Sequence, residues 1–81
     1  MFYVYLLKGT RFYLGITGNV KIRYQQHLDG KVYSTKRMGN DLKLVGYLEC
    51  ENKKIALKIE SNLKKSGHID RIMNYEGFVK C

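Results

Sequence analysis

A carboxylate at Glu60, a basic pair at Arg23 and His27, and two phenols at Tyr5 and Tyr13 are the side chains whose type and spacing could carry chemistry. At about 100° per residue, Ile55, Ala56, Ile59 and Leu63 form one apolar helical stripe, and Glu60 falls roughly 40° beyond it. A carboxylate at the margin of a buried face is costly unless it is paired, solvated in a cleft or bound to a cation. Lys64, one turn on, offers the plainest of these solutions, an ordinary surface pair. On an earlier helix His27 lies within about 20° of Val20 and Arg23 about 40° beyond it, so both turn towards the inner face. Two basic groups there suit a phosphate held against the sheet, with Arg as a rigid two-pronged donor and His as donor, acceptor or proton carrier. The plainer alternative is a half-exposed histidine and a solvated arginine. Tyr5 and Tyr13 are each ordinary strand aromatics, but with Gly15 they form a hydroxyl-bearing face with room for a substrate backbone to approach. A phenol titrates at about pH 10 and becomes a general base only if cations and hydrogen bonds lower that value, for which Arg23 has the right sign.

The elements that must position these groups follow from hydrophobic patterning. Residues 2–7 and 12–16 alternate aromatic and aliphatic side chains of high β preference and predict a hairpin. A three-residue loop at 8–10 would set Tyr5 opposite Tyr13 and Tyr3 opposite Gly15. Thr17 and Asn19 can cap a helix over 19–29, in which Val20, Tyr24 and Leu28 recur every four residues until Gly30 stops it. Residues 30–42 lack a period and predict a mobile basic loop, whose Lys36 and Arg37 are expected to contact substrate. A central strand is expected at 43–49, with Gly46 where another backbone or a ligand comes close. A helix over 52–65 carries Glu60 and ends at Ser66-Gly67, and Ile69, Ile72, Met73 and Tyr75 predict a short final helix before the chain frays. The expected fold is α/β, a small three-stranded, mainly antiparallel sheet flanked by helices, forming one domain over 1–81.

The composition narrows the partner. With 15 Lys and Arg against 7 Asp and Glu in 81 residues, the net charge is +8, which implies a polyanion. Nucleic acid is favoured over an anionic membrane because the basic residues are spread along the chain and gather on no single amphipathic helix. The longest apolar run, residues 2–7, is far short of the ~18 residues that span a bilayer. An intracellular protein, cytoplasmic or nucleoid-associated, is expected. Cys50 and Cys81 have neither CxxC spacing nor His partners, which argues against a zinc ribbon or disulfide scaffold.

These residues together resemble the GIY-YIG nuclease family in its minimal, stand-alone form. Tyr3-Val4-Tyr5 stands where the first motif belongs and Tyr13-Leu14-Gly15 where the second belongs; Arg23, His27 and Glu60 follow in the family's order. Tyr3 replaces the leading glycine, and Ile16 stands where some members carry a lysine whose charge Lys36 or Lys8 would have to supply. The resemblance implies a DNA endonuclease that uses one divalent ion, Mg²⁺ or Mn²⁺, held by Glu60. It further implies Tyr5 as the base that takes a proton from water, Tyr13 and Arg23 on the scissile phosphate, and His27 orienting Tyr5 or relaying its proton. Asn74 would match a late substrate-binding asparagine. Branched or otherwise distorted DNA is the expected substrate, in repair, recombination or mobile-element biology, with RNA left open and a protein partner as one source of specificity. The alternative from another class is a non-catalytic nucleic-acid-binding module of the same fold acting within a larger complex.

Overall fold

The computed structural model describes residues 1–32, 35 and 42–81. Its elements run β1 (Phe2–Lys8), β2 (Phe12–Thr17), α1 (Val20–Leu28), β3 (Lys43–Cys50), α2 (Lys53–Ser66), a 3₁₀ segment (Ile69–Asn74) and β4 (Phe78–Lys80). The strands form one antiparallel sheet in the order β2-β1-β3-β4. Alternation along β1 sends Val4 and Leu6 to one face and Tyr5 and Leu7 to the other, and all four are buried. That is why the first run of the chain is continuously apolar: β1 is covered on both sides. Under one face, α2 and the 3₁₀ segment bring Ala56, Leu63 and Ile72 against Val4, Leu6, Leu14 and Leu48. On the other face, α1 brings Val20 and Tyr24 against Tyr5, Leu7, Tyr13 and Leu42.

Both helices carry the caps their sequences offer. The side chains of Asn19 and Asn52 accept from the backbone N–H groups of Ile22 and Ile55, at 3.1 and 3.0 Å, and satisfy donors that a helix start leaves orphaned. Gly67 follows α2 at φ 75°, a left-handed conformation that only glycine adopts without strain. Among the described residues no helix is long and apolar enough to cross a membrane. Cys50 is buried and Cys81 exposed, both as free thiols.

Several expectations are corrected. The sheet has four strands, not three, because the C-terminal residues do not fray: Phe78–Lys80 pairs with β3, Tyr47 opposite Val79. Gly46 does mark a close backbone approach, since a Cβ there would collide with the Val79 carbonyl oxygen. The Gly46→Ala variant is therefore expected to lose about 1–3 kcal/mol of stability through disruption of the β3–β4 pair, read as a lowered urea midpoint; an unchanged midpoint would contradict this packing. The hairpin loop lies at 9–11, one residue later than expected, and the register moves by two: Tyr5 faces Gly15, and Tyr13 faces Leu7. Lys8 stays in the strand opposite Phe12, with its ammonium 4.0 Å from the Phe12 ring centre. A two-residue shift preserves faces, so Tyr5 and Tyr13 still share one. The last helix is a 3₁₀ turn in which Ile69 and Ile72, three apart, pack inward while Met73 and Tyr75 are exposed. Leu28 and Ile55 are likewise exposed, at the margins of their helical stripes. Of the expected basic loop, residues 33, 34 and 36–41, including Lys36 and Arg37, lie outside the described residues.

Candidate active site

The site forms where α1 crosses the β1–β2 face. Tyr5 and Gly15 are direct cross-strand partners, and Tyr13 stands one pair further along on the same side. Without a side chain, Gly15 lets the Tyr5 phenol lie over it: a Cβ there would sit 2.6 Å from the hydroxyl oxygen. The room at Gly15 is thus filled by Tyr5 itself rather than left open. His27 is the one buried residue of α1. Its Nε2 lies 2.7 Å from the Tyr5 hydroxyl, and its ring centre is 5.6 Å from that of Tyr5 and 5.2 Å from that of Tyr13. Its other nitrogen, Nδ1, lies 2.6 Å from the hydroxyl of buried Thr35. Arg23, one turn before His27, is half-buried, and its Nη1 donates to Gln26 Oε1 at 2.9 Å.

Burial decides the charge state of this cluster. It pushes the Tyr5 phenol up to about 12, with the neighbouring Tyr13 and Glu60 adding to the rise, while hydrogen bonding and charge from Arg23 only partly offset it. The expected lowering by cations is therefore outweighed, and Tyr5 is a neutral phenol at physiological pH. His27 moves down to about 4, first because it is buried and second because Arg23 is close. A folded-state value below the unfolded one stabilises the protein above about pH 6.5, and that stabilisation is lost as pH falls towards 4. The neutral His27 is worth up to about 3 kcal/mol of stability at neutral pH. Urea midpoints should fall between pH 6.5 and 4.5 in the wild type and much less in His27→Gln; a wild-type midpoint flat over that window would contradict a buried, neutral His27.

Glu60 projects from α2, on the opposite side of the sheet from α1, and its negative charge makes the smallest contribution to the rise of the Tyr5 value. It is partly exposed at 18%, and Lys64 Nζ lies 3.4 Å from its Oε2, so the ordinary pair is present. An exposed pair of this kind is worth no more than about 1 kcal/mol, and Lys64, 52% exposed, is free to swing away. Among the described residues no cluster of three His, Cys, Asp or Glu could hold a metal. A single carboxylate fits only a hard ion that keeps most of its waters and completes its shell with substrate oxygens, as Mg²⁺ does. Asn74 is not part of this cluster: it lines a groove of about 390 Å³ with Asn62, Ser66 and Arg71. Thr35 and Gln26 were not singled out by sequence. Thr35 lies on no recognisable period with His27, whereas Gln26, three residues after Arg23 in α1, is at helical contact distance and could have been found.

The single sheet thus carries a buried Tyr–His pair on one face, and the helix that bears Glu60 packs on the other. Residues 1–71 match the GIY-YIG catalytic domain. Over 65 residues the chain is 37% identical to a UPF0213 protein of Cupriavidus necator, with 78% of this chain and 71% of that protein covered. No solved structure matches. The chain belongs to the GIY-YIG family, a family of nucleases acting on nucleic acid and generally using divalent metal ions. The match takes in Tyr5, Tyr13, Gly15, Arg23, His27 and Glu60 and stops short of Asn74.

Proposed function

We propose that this protein is a metal-dependent DNA endonuclease that hydrolyses phosphodiester bonds in branched or distorted duplexes with little sequence preference. The observation that carries the proposal is the buried Tyr5–His27 pair, 2.7 Å apart, with Tyr13 and Arg23 beside it and the charge of Glu60 felt at the phenol. A neutral phenol cannot itself remove a proton, but a phenol that donates to a neutral imidazole can act as a relay. As water attacks phosphorus, Tyr5 Oη takes the water proton while its own proton passes to His27 Nε2. The P–O bond to the leaving oxygen breaks, and that oxygen takes a proton from solvent. Arg23 and Tyr13 would bind the scissile phosphate; the bound anion offsets the Arg23 charge that holds His27 down and so makes the imidazole a better acceptor. Glu60 would hold the divalent ion, and what such an ion supplies is neutralisation of charge on the leaving oxygen. Lys36, Arg37 and the overall +8 charge would track the backbone.

Sequence preference is expected to be weak because the +8 charge acts on backbone phosphates, which carry no base identity, leaving DNA shape or a partner to direct the enzyme. Ile16, in place of a lysine, and the raised Tyr5 value favour the alternative of a non-catalytic binding module. Nicking of supercoiled plasmid with Mg²⁺ or Mn²⁺, abolished by a chelator, is the result expected for the enzyme. Salt-sensitive binding with no nicking in either metal would favour the module.

A further inference from the structure

We propose that Thr35 is a positioning residue that fixes the tautomer of His27, so that Nδ1 carries the proton and Nε2 is left bare to receive the Tyr5 proton. This deepens the proposed function and rests on its assignment of Tyr5 and His27. The hydrogen bonds set the direction of the chain from both ends. The Thr35 hydroxyl has one proton, and a backbone acceptor for it is in place in the Val32 carbonyl oxygen, 3.4 Å away. With its proton turned there, Thr35 Oγ1 presents lone pairs to His27 Nδ1 at 2.6 Å and accepts from it. At the other end, among the described residues the Tyr5 hydroxyl has no acceptor besides His27 Nε2, and Arg23 offers it only donors. Both ends therefore place the ring proton on Nδ1 and the phenol proton between Tyr5 and Nε2. The opposite tautomer would turn an N–H against the phenol oxygen and close the relay.

The arrangement is also ready for the charged form. When Nε2 takes the proton, Nδ1–H already has its acceptor in Thr35, so the imidazolium forms without rearrangement of a ring that is only 2% exposed. Thr35 itself is 1% exposed, so water does not readily take its place. In valine a methyl takes the place of the threonine hydroxyl, which makes Thr35→Val nearly isosteric and removes only the hydrogen-bonding group.

The test separates this proposal from the nuclease assignment by reading the tautomer directly. Long-range ¹H–¹⁵N spectra of the full chain at neutral pH report which His27 nitrogen is protonated, with His27→Gln providing the assignment. The wild type should show a protonated Nδ1. In Tyr5→Phe the phenol no longer constrains the ring, and the same tautomer should persist because Thr35 alone sets it. In the Tyr5→Phe, Thr35→Val double variant the ring should revert to the Nε2–H form that free imidazole side chains prefer. A wild type protonated on Nε2, or a Tyr5→Phe ring that has already reverted, would overturn the proposal. So would a double variant that keeps Nδ1–H. If the double variant fails to fold by circular dichroism, Thr35→Ala in the Tyr5→Phe background is read in the same way. In cleavage assays Thr35→Val should lower kcat about 10- to 100-fold with KM unchanged, and Thr35→Ser should restore it. The tautomer result stands whether or not the chain cleaves DNA.

Discussion

Glu60→Gln is expected to lower phosphodiester cleavage by about 10³-fold or more and to leave nucleic-acid binding nearly unchanged. Charge neutralisation at a leaving oxygen is worth several kcal/mol, each ~1.4 kcal/mol being a factor of ten, and Glu60 is the proposed ligand of the ion that would supply it. Glutamine keeps the shape and removes the charge that would hold a divalent ion. The fold tolerates the change, because the ion pair it breaks, 3.4 Å long and made with half-exposed Lys64, contributes at most about 1 kcal/mol. Loss of rate with an intact urea transition therefore separates chemistry from unfolding. Single-turnover cleavage at saturating protein, compared at several Mg²⁺ concentrations, is the measurement. A variant that cleaves as fast as the wild type would remove Glu60 from the site.

Tyr5→Phe is expected to have the next largest effect, a fall in single-turnover rate of about 10²- to 10⁴-fold, the range that general acid–base groups supply. The ring stays packed against Tyr13 and His27, so what disappears is the hydroxyl and its proton. The deletion leaves His27 Nε2 buried without a donor, at a cost of about 1–3 kcal/mol, and a modest drop in urea midpoint should accompany the loss of rate. Because burial holds the phenol up to about 12, no phenolate absorbance should develop from Tyr5 below about pH 11. A Tyr5→Phe enzyme within a few-fold of wild type would show that water is activated elsewhere.

Much of this arrangement was legible in the sequence because it depends on face and spacing. Period two in the strands put Tyr5 and Tyr13 on one side whatever the exact register, and the i, i+4 relation put Arg23 and His27 on one side of α1. Gly46 was legible as a close backbone approach, but the partner was not, since the three residues of β4 are too few to show alternation. The register slipped because loop placement turned on whether Lys8 ended the strand, and its stacking on Phe12 is a cross-strand contact with no local signal. The net direction of the Tyr5 shift was not legible, for a physical reason. The sequence shows the cations, but it does not show the desolvation that outweighs them once α1 closes over the sheet. Thr35 was illegible because its tie to His27 is made by a segment with no period, which returns a hydroxyl to the ring eight residues later.

The most direct test of hydrolysis at this site is cleavage of a labelled branched duplex by the wild-type protein in H₂¹⁸O with Mg²⁺ or Mn²⁺, followed by mass analysis of the product ends. Attack by water on phosphorus predicts one ¹⁸O in each newly formed terminal phosphate. Strands that remain intact in both metals, or cleaved products whose phosphates carry no ¹⁸O, would contradict the account.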